Sequence, residues 1–175
     1  MNGNPRAALI LQLQRAYSGE AAAAYAYRGH HASVRDVAER DEIRRIEKEE
    51  WHHRALIGDM LAALGSRPTP AREFRMGLIG RVLGALCHVS GWFLPMYGAG
   101  RLERQNIQEY LDAAAYALAA DHPELVDSLL RMAETEWDHE RYFRDKVRGH
   151  FLGRIAPMWP EPPPRESLRS LLPAG

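Results

Sequence analysis

The sequence predicts an all-α chain, and three observations carry that prediction. Long segments repeat apolar residues at three- and four-residue spacing, clusters of Gly, Pro, Ser and Asp separate them, and no run alternates apolar with polar residues as a half-buried strand would. A length of 175 residues suits one domain with a substantial core and no covalent staples. A helical bundle is expected over residues 1–150, followed by a Pro-rich strap or disordered tail over 151–175.

Helix 1 is expected from about Pro5 to Gly29, with Leu9, Leu13, Tyr17, Glu20, Ala24 and Tyr27 on one face. Helix 2 is expected from about Ser33 to Leu64, stopping where Gly65 can cap it and where Pro68 and Pro70 cannot continue it. Residues 71–97 form an apolar, Gly-rich segment. It reads as a crossover helix closing the end of the bundle, or as a dimer surface using Gly80 and Gly84. Val82 to Gly100 carry no formal charge over 19 residues, yet His88, Ser90, Pro95 and four glycines interrupt the stretch, so a membrane span is not expected. Helix 4 is expected from about Ala99 to Ala120, then Asp121 as N-cap and Pro123 in the first turn of a helix 5 that reaches about Gly149. Five prolines follow in residues 157–164, then one short amphipathic turn at Glu166 to Leu172.

Composition excludes several classes of function. Lys plus Arg equals Asp plus Glu, 23 each, so no net field recruits nucleic acid or an anionic membrane. The single cysteine, Cys87, leaves no disulfide framework and no Cys-based zinc or electron-transfer site. The N-terminal stretch lacks the pattern of a secretory signal, which points to a cytoplasmic protein.

The chemistry lies in a repeated motif. "EKEEWHH" contains Glu-x-x-His in two overlapping registers, and only one can face inward. The Glu50/His53 register continues an apolar stripe of Ile43, Ile46, Ile57, Met60 and Leu64, while Glu49/His52 continues a wet one of Glu42, Arg45, Leu56 and Asp59. "ETEWDHE" places a second pair, Glu136 and His139, in a stripe of Leu125, Leu129, Met132 and Phe143. Each pair has a matching single glutamate on the preceding helix: Glu20, 30 residues before Glu50, and Glu103, 33 before Glu136. The chain therefore reads as two similar helical hairpins. Glu109, between Asn106 and Ala113, lies on an equally acceptable face and can replace Glu103 or add a seventh side chain. The remaining histidines, His30, His31, His52, His88, His122 and His150, lack such company and are expected at the surface or beside the ligands.

Residues three apart on a helix project from one face, so each Glu-x-x-His can bind one ion. Four carboxylates and two imidazoles suit Fe or Mn better than Zn, and two divalent ions neutralise the four carboxylates. Buried without metal, each carboxylate would cost several kcal/mol or take up a proton, on the order of magnitude known for unpaired buried charge.

This arrangement resembles the ferritin-like di-iron carboxylate proteins, whose four-helix bundle carries such a ligand set. It is most similar to the demethoxyubiquinone hydroxylase family. "SGEAAAAYAYRGH", "EKEEWHH", "SRPT", "RLERQNIQEY" and "TEWDHE" match that family's motifs over roughly residues 15–145. The resemblance implies a ferritin-like bundle with two irons, Mn being the alternative, on Glu20, Glu50, His53, Glu103, Glu136 and His139, with Tyr27 and Tyr110 beside the ligands. It implies dioxygen and an isoprenoid quinone as reactants, and peripheral contact of residues 74–97 with the inner membrane. Two positions depart from the family pattern: Ala16 replaces an Asp in helix 1, and Glu109 replaces a His implicated in the redox step with the quinone. An added carboxylate such as Glu109 is also a feature of rubrerythrin-type proteins, so a peroxide-reducing or iron-oxidising protein of rubrerythrin or bacterioferritin type is the alternative.

Overall fold

The computed structural model describes residues 4–172. Five α-helices follow in order: α1 (Pro5–Ser33), α2 (Val37–Ala63), α3 (Pro70–Leu86), α4 (Phe93–Ala119) and α5 (Val126–Gly149). Short 3-10 turns occupy Pro123–Leu125, Phe151–Arg154 and Arg165–Leu171, and no strand occurs among the described residues. The chain is all-helical, compatible with the ferritin-like bundle. It divides into two compact units, Ile10–Pro95 and Met96–Gly175 with Met1–Leu9.

In the first unit, helix ends follow from local chemistry. Asp36, in extended conformation, accepts a hydrogen bond from the Glu39 amide at 2.9 Å and starts α2. At the other end Gly65 adopts φ 63°, its amide bonds the Ala62 carbonyl at 2.9 Å, and the Ser66 amide bonds that of Leu61 at 2.8 Å. That double closure is the Schellman stop expected at Gly65.

Gly29 was expected to end helix 1, but α1 runs on to Ser33. The reason is tertiary: a Cβ on Gly29 would lie 2.2 Å from the Gly84 carbonyl oxygen. The glycine serves close helix contact rather than helix termination. A Cβ on Gly80 would likewise lie 2.3 Å from the Ala22 carbonyl oxygen, and Gly77, Gly80 and Gly84 are all buried. The expectation of Gly80 and Gly84 as a dimer surface is therefore corrected: they form the close seam of α3 against α1. The opposite face of α3 is left outward, with Phe74, Leu78, Val82 and Leu86 all at least half exposed or nearly so (49–77%). The Trp92 indole N–H donates to the Glu39 carboxylate at 2.8 Å, tying the end of the connection after α3 to the start of α2. Among the described residues no helix is long and apolar enough to cross a membrane.

In the second unit, α4 begins at Phe93, earlier than expected, because Pro95 falls in the first turn, where a missing N–H costs nothing. Asp121 does not cap α5. It takes φ 61°, its amide bonds the Leu118 carbonyl at 3.1 Å and the His122 amide bonds that of Ala117 at 2.9 Å. Asp121 thus closes α4 in the left-handed conformation that Asp tolerates better than most residues. The segment after α5 lies on this unit as a strap: Leu168 is fully buried and Trp159 is 7% exposed.

Candidate metal centre

Each unit supplies one glutamate and one Glu-x-x-His. In the first, Glu20 on α1 and Glu50 and His53 on α2 are buried, at 4%, 0% and 4% exposure. His52 is exposed and Glu49 pairs with Arg45 at 2.5 Å, so the Glu50/His53 register faces inward. All five apolar members of its stripe, Ile43, Ile46, Ile57, Met60 and Leu64, are buried. In the second unit, Glu103 on α4 and Glu136 and His139 on α5 are fully buried. There Asn106 donates to Glu103 Oε2 at 2.9 Å and to Glu136 Oε2 at 3.5 Å, and His139 Nδ1 lies 3.6 Å from Glu136 Oε2.

These side chains form two groups. Glu20, Glu50, His53 and Glu136 offer ligand atoms that all lie within 4.8 Å of one another, as do Glu50, Glu103, Glu136 and His139. Both groups hold three carboxylates and one imidazole, and both contain Glu50 and Glu136. An oxygen-rich set with one nitrogen per group suits iron or manganese, and the four carboxylates match the charge of two divalent ions. The residues therefore fit a two-metal site.

Glu109 stands outside both groups and is exposed. The correction has a geometric cause: six residues of helix turn 600°, which leaves Glu109 about 120° away from Glu103 around α4. The extra carboxylate that suggested peroxide chemistry is thus absent from the groups. Tyr27 and Tyr110 are buried, at 3% and 2% exposure, and Tyr27 stacks on His30 with ring centroids 6.4 Å apart. Ala16, at the departure from the family pattern in helix 1, is buried.

Several buried polar residues escaped sequence reasoning. His30, expected at the surface or beside the ligands, is 2% exposed, and its pKa is lowered to about 4 by burial and then by the neighbouring His31. Glu47 accepts from Arg28 Nε at 2.9 Å, lies 3.0 Å from His31 Nε2, and accepts more weakly from the Trp51 indole at 3.4 Å. Glu140 and Arg144, both buried, pair along α5, with Arg144 Nε donating at 2.7 Å. Their opposite charges at i and i+4, one turn beyond Glu136, were the available signal.

The family described as Ubiquinone biosynthesis protein COQ7 matches residues 9–146, which include all six members of the two groups. No curated protein and no solved structure matches the chain.

Proposed function

Because the chain belongs to the COQ7 family of ubiquinone biosynthesis, we propose that it is a di-iron hydroxylase that uses dioxygen to oxidise a quinone-type ring. The observation carrying this reading is the pair of buried groups with Glu50 and Glu136 in common. Glu20, Glu50, His53, Glu103, Glu136 and His139 hold the two irons, and manganese fits the same donors. Bound there, the ions supply the redox chemistry that activates dioxygen.

The chain's own residues set the conditions. The four carboxylates neutralise the ions, so the core carries no net charge. Asn106, donating to both Glu103 and Glu136, holds the orientation of one carboxylate from each helix. Tyr27 and Tyr110, both buried, would wall the site beside the ligands and keep bulk water from the reacting ring.

A long apolar substrate gives the outward face of α3 a use. Phe74, Leu78, Val82 and Leu86 would rest on a bilayer peripherally and receive the substrate from it. Over residues 67–95 four arginines stand against one glutamate, so this segment is basic although the whole chain is neutral, and an inner-membrane surface rich in anionic lipid complements it.

The test uses iron-loaded protein with a reductant, dioxygen and a short-chain methoxyquinone lacking the hydroxyl to be added. Mass spectrometry should find a product heavier by one oxygen, labelled from 18O2, and Phe74→Glu with Leu78→Glu should release the protein from pelleted liposomes. Oxidation of the loaded protein by hydrogen peroxide with no labelled quinone would replace this reading with the peroxide-reducing one.

A further inference from the structure

Residues of α5 that flank the metal-ligand groups are held by the C-terminal strap. Trp159 donates its indole N–H to Glu140 Oε1 at 2.6 Å, and Arg144 donates to the same oxygen and to the Pro160 carbonyl at 3.0 Å. The Trp137 indole donates to the Pro163 carbonyl at 2.9 Å, and Arg165 pairs with both oxygens of Asp138 at 2.9 and 3.0 Å. Residues 137, 138 and 140 therefore engage the strap, and they are the immediate neighbours of the buried Glu136 and His139.

Trp159 also reaches the neighbouring helix. A Cβ on Gly100 would lie 2.3 Å from the Trp159 ring, so the indole rests directly on the α4 backbone three residues before Glu103. Tyr97 meets the same ring edge to face at 5.3 Å, and its hydroxyl donates to the Pro157 carbonyl at 2.5 Å. One buried side chain thus touches α4 one turn from Glu103 and α5 within one turn of Glu136 and His139. The family match ends at residue 146, so this element lies outside it.

We propose that Trp159 is a positioning residue for the metal centre: acting through Glu140 and Gly100, it fixes the spacing and rotation of α4 and α5 so that Glu103, Glu136 and His139 converge. The proposal rests on the reading of these three residues as ligands. Ligand sets need placement within about half an ångström, and groups that orient ligands from behind change metal affinity by about 10–100-fold when removed. The solvent-exposed pairs of Arg165 and Arg169 farther along the strap contribute much less, as exposed ion pairs generally do.

Titration of the metal-free full chain with Co(II), followed by its visible absorption, tests the role without turnover. Trp159→Ala should weaken Co(II) binding by about 10–100-fold and alter the band positions, which report coordination geometry. Leu168→Ala, which removes a fully buried apolar side chain farther along the strap, should lower the melting temperature with wild-type affinity and bands. Equal affinity losses in the two variants, or a wild-type spectrum and affinity in Trp159→Ala, would overturn the proposal. Should Trp159→Ala fail to fold, Trp159→Phe keeps the ring and removes the N–H donated to Glu140; shifted bands are expected, and unchanged bands and affinity overturn the role. Wild-type protein that binds no Co(II) would overturn the metal reading itself and this role with it, whereas tight wild-type binding with an unaffected Trp159 variant overturns this role alone.

Discussion

Replacing Glu136 by Gln should stabilise the metal-free protein while weakening its response to metal. Glu136 shares one group with Glu20 and Glu50 and the other with Glu50 and Glu103, so three carboxylates approach its ligand oxygens within 4.8 Å. Two like charges at that separation repel by about 3.5 kcal/mol at an effective dielectric of about 20. Three such pairs sum to about 10 kcal/mol, which exceeds the alternative: giving an ordinary carboxylate a proton at pH 7 costs about 4 kcal/mol. The cost of neutralising one ordinary carboxylate therefore caps the penalty that Gln can relieve at about 4 kcal/mol. Gln keeps the oxygen that accepts from Asn106 and changes little in volume. A chain of this length has an unfolding entropy of about 0.4 kcal/mol per degree, so the metal-free variant should melt up to about 10 °C above metal-free wild type. Thermal unfolding after chelation and after anaerobic iron loading measures both states. Iron should raise the wild-type melting temperature, and the rise should shrink in the variant because a neutral oxygen replaces a charged ligand. A metal-free variant no more stable than wild type, with an undiminished response to iron, would refute the charge argument.

Elemental analysis should find that Glu50→Ala and His53→Ala lose metal while Glu49→Ala and His52→Ala retain two per chain; the opposite pattern would reverse the inward register. Gly80→Ala should cost about 1–3 kcal/mol or more through overpacking, since the new Cβ would meet the Ala22 backbone, whereas Gly98→Ala has open space and should gain up to about 1 kcal/mol. Melting curves that rank these two variants the other way would remove the close α1–α3 seam. His30 holds off its proton to about 4 when folded, whereas the unfolded chain accepts it at about 6.5. Its contribution to stability is therefore intact above pH 6.5 and is lost as the pH falls from 6.5 toward 4, by up to about 3 kcal/mol. His30→Gln should flatten that limb of the melting temperature against pH, and an unchanged slope would assign the acid sensitivity elsewhere.

Helical periodicity made much of the site legible. The stripe through Ile43, Ile46, Ile57, Met60 and Leu64 carried Glu50 and His53 to the buried side of α2, and the same reading carried Glu136 and His139 on α5. Gly65 marked a true helix end because its φ is a local requirement. These are properties of single helices, in which the direction of every side chain follows from its place in the chain. Glycines without such a local demand misled: Gly29 looks like a terminator, and only the approach of Gly84 from a distant helix makes it an interior residue. Asp121 reads as the start of helix 5, yet the hydrogen bonds to Leu118 and Ala117 make it the end of α4. Glu109 and Glu103 both fit the pattern of α4, and burial separated them. The strap depends on contacts from Trp159 to Gly100 and Glu140, 59 and 19 residues away, which no repeat along the chain records. Which carboxylates come within 4.8 Å is likewise a matter of packing between helices. Sequence period fixes the angle of a side chain about its own helix axis; the distance between axes is set by the side chains, or their absence, on both helices at once.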